Sequence, residues 1–217
     1  KHLTRRLSNN KVINQLPINI IYSNLAARNL NDFAQSNPVI SASFIFDLDG
    51  FVVESHPLAS LSVNTDQLSP IVLNALKNQY LEPMVYVLND AQISKLFPHN
   101  NPKEPFLAII TPLIHELDLL DTPFEITGAL VNVLAFSDLL TWLMHVETGD
   151  INQYQLFIEN NLSFDASVPN KQSYIRQTAP IMPVYLNDGS KKTLEFAILE
   201  AEKPYLAVVI QSMFLAG

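Results

Sequence analysis

Hydrophobic and polar positions alternate along residues 39–56, and this alternation is the clearest pattern in the chain. Phe44 and Phe46 fall on one side of an extended segment, while Ser43 falls on the other. A period of two is typical of a half-buried β-strand. Asp-Leu-Asp-Gly at residues 47–50 then supplies turn chemistry, because aspartate carboxylates accept local backbone N–H groups and glycine tolerates positive φ. The pattern therefore predicts a β-hairpin with this sequence at its turn.

Apolar residues at helical spacing predict a helix over residues 1–35. Pro17 either kinks this helix or begins a second one. Two long apolar segments, 106–114 and 126–136, flank an acidic connection and predict an antiparallel hairpin. The shorter predicted elements are helices near residues 66–79, 91–97 and 138–145, a strand at 84–88, and strands at 154–159, 173–185, 193–201 and 205–213. We therefore predict an α+β fold, in which a long N-terminal helix packs on a central antiparallel sheet and a smaller β-rich lobe follows.

Composition narrows the functions that the chain can have. Of its 217 residues, 48% are hydrophobic and 16% are charged, which suffices for a sizeable core and excludes a disordered chain. The formal net charge is −8 and the 13 lysines and arginines are scattered, so we expect no nucleic-acid partner. The absence of cysteine removes disulfides and thiolate metal sites. The histidines match no metal-binding spacing, and we expect no metal and no cofactor.

The predicted turn also allows an enzymatic interpretation. Residues 44–55 resemble the first motif of the haloacid dehalogenase-like phosphatases, in which Asp-x-Asp-Gly follows an apolar strand. That resemblance implies Asp47 as the nucleophile and Asp49 as the general acid/base, with a magnesium ion. The strand of that family lies in a buried parallel sheet and would be continuously apolar, whereas Ser43 interrupts this one. The residue after the glycine is Phe51, where that family commonly has threonine. We therefore expect a structural turn, no catalytic residue and no enzymatic activity in this fragment.

A second resemblance covers residues 11–145. Residues 44–53, 107–114 and 126–143 resemble the first hairpin and the central strand pair, with its exit helix, of the Cache (PAS-like, PDC) sensor domains of bacterial receptors. Pro112 and Gly128 stand at positions that recur in such domains. The parts that this resemblance implies are an N-terminal signalling helix at 1–38, a membrane-distal PAS-like lobe at 39–148, and a smaller β-rich membrane-proximal lobe at 149–217.

The resemblance to Cache domains implies a sensing function. The chain would be the periplasmic part of an inner-membrane receptor, such as a histidine kinase, a diguanylate cyclase or a chemoreceptor. We expect the flanking transmembrane helices to lie outside this sequence. The expected partners are a small-molecule ligand and a second copy of the chain in a homodimeric full-length receptor.

The ligand site is predicted near the short strand at 84–88 and its flanking loops. A pocket is mostly apolar with a few placed polar groups, and tyrosine meets both needs. The predicted ligand-binding residues are Tyr80, Tyr86, Lys95, His99 and Thr111. No arginine lies between Arg28 and Arg176, so a bidentate clamp for a carboxylate is lacking and Lys95 would replace it. The alternative is a ligand-free interaction or dimerisation module, whose large apolar side chains fill the would-be cavity.

Overall fold

The structure, a computed structural model, divides into two compact units. It describes residues 8, 10–57, 65–78, 81–97, 104–116, 124–139, 153–159, 161–165 and 173–201. The division falls after residue 146, and residues 183–192 return to the first unit. None of the helices in these described ranges combines the length and the apolar character needed to cross a bilayer.

The N-terminal segment is not one continuous helix. Helix α1 spans Lys11–Gln15, a 3-10 turn spans Ile20–Tyr22, and helix α2 spans Ser23–Ser36. The side chain of Asn10 caps α1 by accepting the N–H of Val12 at 3.0 Å. The interruption follows at Pro17, because proline has no N–H to donate and its ring clashes with the preceding helical turn. The long N-terminal helix expected from the sequence is therefore divided in the described residues.

The first unit is built on an antiparallel sheet of five strands with one parallel neighbour. The strands are β1 (Ala42–Phe46), β2 (Val52–His56), β3 (Met84–Leu88), β4 (Phe106–Glu116) and β5 (Phe124–Ala135). Their order is β2-β1-β5-β4-β3, and each of these neighbouring pairs is antiparallel. The end of β8 (Ser173–Tyr185) pairs with β3 in parallel, with Tyr185 opposite Tyr86. The predicted β1–β2 hairpin and the β4–β5 pair are confirmed, and the sheet is mixed rather than purely antiparallel.

One face of this sheet carries the larger hydrophobic core. Helices α3 (Ser69–Lys77) and α4 (Asp90–Leu96) contribute Val72 and Ile93 to a buried cluster that contains Phe44. Every second residue of β1 and β3, and of segments 106–110 of β4 and 129–135 of β5, belongs to the same cluster. This face is therefore closed by apolar side chains of the two helices.

Helices α1 and α2 cover the opposite face. Ile13 of α1 and Leu30 of α2 form a second buried cluster with Ile45 of β1. All residues of β1 are consequently buried, including Ser43. The expectation of a half-buried strand was wrong, because the second face is covered by the N-terminal helices and its polar residues find partners inside the protein.

The second unit is β-rich. Its strands are β6 (Gln153–Ile158), β7 (Asn161–Asp165), most of β8, and most of β9 (Lys191–Ala201), in the order β8-β9-β6-β7. Strand β6 is antiparallel to both β7 and β9. The turn between β8 and β9 was predicted from Asn187-Asp188-Gly189-Ser190, and Gly189 there has φ of 81°. Strand β7 was not predicted, while the predicted strand at 205–213 and most of the helix at 138–145 lie outside the described residues.

Candidate functional site

Of the five sequence-predicted ligand residues, the three that the structure describes are not brought together. Tyr80 and His99 lie outside the described residues. Tyr86 is 1% exposed within the large core, and its ring centroid lies 5.4 Å from that of Tyr185. Lys95 is exposed in the last turn of α4. Thr111 is 3% exposed and, by strand alternation, lies on the face of the sheet opposite to Tyr86. The role of these residues in ligand binding stays a prediction.

The core beside β3 leaves little room for a ligand among the described residues. A cavity of about 10 Å³ lies between α3 and the sheet, lined by Ala75, Leu76, Glu82, Met84, Ile110 and Pro112. This space would hold about one water molecule. The site expected around Tyr86 is, in this part of the chain, occupied by packed side chains.

A larger groove lies where the β1–β2 turn meets the start of α3. Its volume is about 290 Å³, near the lower end of the range for small-molecule pockets. The groove is lined by Asp49, Gly50, Phe51, Val52, Thr65, Asp66, Ser69, Pro70 and Leu73. All of these residues belong to the first unit. This groove, which we call the turn groove, is the candidate functional site.

The turn side of the groove is fixed by the carboxylate of Asp47. Its Oδ1 accepts the backbone N–H of Asp49 at 3.0 Å and that of Phe51 at 2.8 Å. The N–H of Asp47 donates in turn to the carbonyl oxygen of Phe51 at 2.9 Å. Gly50 has φ of 83°, a backbone conformation that a side chain would strain. The turn is thus held by hydrogen bonds that the sequence Asp-x-Asp-Gly supplies locally.

The helix side of the groove is joined directly to this turn. Ser69 donates its hydroxyl to the carbonyl oxygen of Gly50 at 2.8 Å. A Cβ atom added to Gly50 would lie 3.0 Å from Cγ of Leu73, so turn and helix are in close contact. Gln92 of α4 donates to the carbonyl oxygen of Gln67 at 3.2 Å. These contacts hold the walls of the groove against the two helices of the large core.

The surface of the turn groove combines negative charge with an aromatic face. Asp49 and Asp66 are both exposed, and Phe51 is 69% exposed. Pro70 and Leu73 add apolar walls. None of the described residues that line the groove is basic. Sequence reasoning missed this site because Asp49 and Phe51 were weighed as parts of a turn or of a phosphatase motif, and not as the wall of a groove.

The geometry gives the phosphatase interpretation no support. Strand β1 is antiparallel to both β2 and β5, so Asp47 does not follow a strand of a parallel sheet. The Asp47 carboxylate is engaged by two backbone N–H groups of its own turn. Within the described ranges, no group of three or more acidic or histidine side chains is placed to hold a metal ion.

Buried polar side chains occupy the sheet face under α1 and α2. Ser43 donates to Oδ1 of Asn132 at 2.6 Å, and Thr127 donates to the carbonyl oxygen of Asn14 at 2.7 Å. On the same face, Glu54 of β2 accepts the hydroxyl of Ser23, at the start of α2, at 3.1 Å. We call this set of residues the polar seam. It links the N-terminal helices to the sheet by hydrogen bonds as well as by packing.

Some buried polar atoms in and beside the polar seam have no hydrogen-bond partner. Oδ1 of Asn14, Oγ1 of Thr111 and Nδ2 of Asn132 are buried and have no hydrogen-bond partner. Thr111 and Asn132 lie on the same face as diagonal neighbours, because Thr111 pairs with Leu130 and Asn132 pairs with Ile109. A buried polar atom without a partner costs free energy of folding. The helix–sheet contact is therefore less stable than an apolar one of the same size.

Among the described residues of the first unit, two carboxyl groups have shifted pKa values. Burial raises the pKa of Asp138, and the nearby negative charge of Glu104 raises it further. The polar groups of Ser190, first its side-chain hydroxyl and then its backbone N–H, lower the pKa of Asp188 in the β8–β9 turn. Neither group lines the turn groove.

No family model and no curated protein sequence matches the chain. In fold, the chain is similar to the sensor domains of bacterial signalling proteins. The sensor domain of the histidine kinase DctB from V. cholerae matches 94% of this chain and 89% of that chain, with a TM-score of 0.51 and 9% identity. The periplasmic domain of LuxQ from Vibrio cholerae matches 93% of this chain and 90% of that chain, with a TM-score of 0.50 and 12% identity.

A third solved structure, a domain of a sensory box/GGDEF family protein from Vibrio parahaemolyticus, matches 90% of this chain and 85% of that chain, with a TM-score of 0.50 and 10% identity. At these identities the likeness concerns the fold. The Cache-type sensor fold inferred from residues 44–53, 107–114 and 126–143 is confirmed at that level.

Proposed function

We propose that the chain is the extracytoplasmic ligand-sensing domain of a bacterial transmembrane signalling receptor. The observation that carries this proposal is the sensor-domain fold, which extends over 94% of the chain rather than over one motif. The turn groove, with a volume of about 290 Å³, offers a surface where a small molecule would bind. The receptor would be a histidine kinase, a diguanylate cyclase or a chemoreceptor.

The proposed organisation keeps the divisions that the resemblance to Cache domains implies. Residues 1–38 are the signalling segment, residues 39–148 the membrane-distal lobe, and residues 149–217 the membrane-proximal lobe. The domain lies in the periplasm between transmembrane helices of an inner-membrane protein, and the receptor is a homodimer. It has no catalytic activity of its own.

A short path connects the turn groove to the N-terminal helices. Val52 lines the groove and begins β2, and Glu54 of the same strand accepts the hydroxyl of Ser23 at the start of α2. A ligand that favours one position of the turn would therefore bias the contact between β2 and α2. The shift is limited to the ligand's differential affinity for the two arrangements.

A binding screen followed by a chimeric receptor tests this proposal. The chain is screened by thermal shift against amino acids, carboxylates, amines, purines and sugars, where a ligand at roughly a hundredfold its Kd adds about 2.7 kcal/mol to stability. It then replaces the sensor of a histidine kinase that drives a reporter gene. We expect the hit to change reporter output, and Ser23→Ala to reduce that change while binding persists. Failure of every compound class in the screen would overturn the sensing function.

A second candidate function, a ligand-free interaction module, is favoured by the exposed apolar residues near the start of α2. Ile21 is 82% exposed, and Ile18 and Leu25 are exposed beside it. Exposed apolar side chains grouped on one surface often mark an interaction site. Light scattering of the isolated chain and of the Ile21→Asp variant tests this candidate. A dimer that Ile21→Asp dissociates, together with a negative ligand screen, would favour it over sensing.

A further inference from the structure

The turn groove has a chemical character that indicates which ligands it would bind. Its described lining presents the carboxylates of Asp49 and Asp66, the exposed ring of Phe51, and the apolar surfaces of Pro70 and Leu73. Carboxylates attract cations, and the face of an aromatic ring attracts them as well. An anionic ligand would meet two like charges and no basic residue among these side chains.

We propose that the turn groove binds a small organic ammonium ion. This inference rests on the proposed sensing function and names the ligand class of the same site. The ammonium group lies between the Asp49 and Asp66 carboxylates, and its carbon substituents contact the ring of Phe51 and the walls formed by Pro70 and Leu73. An organic cation fits this lining better than a bare metal ion, because the side chains of Phe51, Pro70 and Leu73 are apolar and offer no oxygen ligand.

The position of Phe51 supports this assignment. Phe51 is 69% exposed and lines the groove together with Pro70 and Leu73, so an apolar surface faces water beside the two carboxylates. The backbone N–H of Phe51 is fixed by the Asp47 carboxylate at 2.8 Å, so the residue sits at a defined place in the turn. Because this part of the backbone is already ordered, little backbone entropy is lost when the turn receives a ligand.

The test is an NMR titration of the isotope-labelled chain at low salt with choline, which carries a quaternary ammonium group. Its neutral carbon isostere, 3,3-dimethyl-1-butanol, has the same shape without the charge and serves as the matched ligand control. We expect choline to shift the backbone amides of Gly50, Phe51 and Asp66 saturably. The isostere should leave these amides unshifted over the same range, and added sodium chloride should weaken choline binding.

Variants locate the binding groups. Asp49→Asn and Asp66→Asn each remove one exposed charge and should weaken choline binding about threefold to fivefold, the upper part of the range for exposed charge pairs. Phe51→Leu keeps apolar bulk but removes the aromatic face, and should weaken binding by about twofold to fivefold. The matched control is Asp90→Asn, since Asp90 is an exposed acid in the first turn of α4 that does not line the groove. It should leave the affinity within about twofold of the parent chain.

Several outcomes would overturn the inference. If the isostere shifted the amides as much as choline does, the groove would be a simple apolar site. If Asp90→Asn weakened choline binding as much as Asp49→Asn or Asp66→Asn, the binding would be non-specific. Saturation of the same amides by calcium chloride at lower concentration than choline would assign the groove to a metal ion. A thermal shift from a carboxylate, purine or sugar, with none from choline, would refute the ammonium site while sustaining the sensing function. Failure of all classes would refute both.

Discussion

Ser43 and Asn132, separated by 89 residues in sequence, form a buried hydrogen bond of 2.6 Å across β1 and β5. Both side chains are 0% exposed, in a face of the sheet that α1 and α2 cover. The bond satisfies the one acceptor that Asn132 presents, while its Nδ2 has no partner. This pair joins the neighbouring strands β1 and β5 within the polar seam.

Removal of the Ser43 hydroxyl should therefore destabilise the domain. Ser43→Ala leaves the Asn132 amide buried without any side-chain partner, and the free energy of unfolding should fall by about 1–3 kcal/mol. Urea denaturation followed by circular dichroism measures the change. The double variant Ser43→Ala/Asn132→Leu removes both polar groups and should recover much of the loss. A Ser43→Ala chain as stable as the parent would show that this hydrogen bond contributes nothing.

The sequence predicted the hairpin and the long strand pair because their signals are local. Alternation in β1, turn chemistry at Asp47, and long apolar runs in β4 and β5 each act within a few residues. At Pro17 the sequence predicted either a kink or the start of a second helix, since proline excludes a regular helix but does not dictate where the next helix begins.

The remaining features depend on contacts distant in sequence, which periodicity does not encode. The burial of both faces of β1 needs the N-terminal helices, and the partner of Ser43 lies in another strand. Tyr86 was expected in a pocket because tyrosine suits one, yet its position opposite Tyr185 makes it part of the core. The turn groove forms where Gly50 approaches Leu73, two residues whose proximity no local pattern reveals.

Asp47 provides a test of turn structure against catalysis. Asp47→Ala removes the acceptor of two backbone N–H groups and should lower the free energy of unfolding by about 0.5–2 kcal/mol, as for the loss of a helix cap. Asp47→Asn retains an amide oxygen and should stay closer to the parent in thermal melts. We expect Asp47→Ala to be the least stable, Asp47→Asn to be intermediate and the parent chain to be the most stable. A magnesium-dependent phosphatase activity that Asp47→Asn abolishes would contradict the structural role.

Gly128 should be among the least tolerant positions of the first unit. A Cβ atom there would meet the carbonyl oxygen of Phe46 and lie 3.0 Å from Cγ of Pro17. Backbone cannot easily yield, so Gly128→Ala should cost about 1–3 kcal/mol or more. The control is Gly189→Ala, where a Cβ finds nothing within 4 Å and only φ of 81° opposes it. That variant should cost about 1 kcal/mol. If Gly128→Ala and Gly189→Ala lost the same free energy of unfolding in chemical denaturation, the backbone at Phe46 would have moved to make room for the added Cβ atom.

Asp138 should destabilise the domain as it ionises. Its pKa is raised by burial and by Glu104, so the stability it contributes is fully present below the ordinary pKa of aspartate and is lost as pH rises through the raised value. Asp138→Asn should therefore be more stable than the parent near neutral pH, by less than about 1 kcal/mol, and equal to it in acid. Denaturation curves over a pH series measure this difference. An advantage that persists unchanged in acid would refute the electrostatic cause.

Asp188 should show the opposite pH dependence. The side-chain hydroxyl and the backbone N–H of Ser190 lower the pKa of Asp188, and this N–H donates to Oδ1 of Asp188 at 2.8 Å. A lowered pKa means that the stabilising contribution is present above the ordinary pKa of aspartate and disappears as pH falls through the lowered value. Asp188→Ala should therefore be less stable than the parent near neutral pH, with the gap closing in acid, because the parent then loses the same contribution. The same pH series with Asp138→Asn and Asp188→Ala should give differences of opposite sign. Differences of the same sign would mean that residual changes in turn or helix propensity, rather than these carboxylate environments, govern the response.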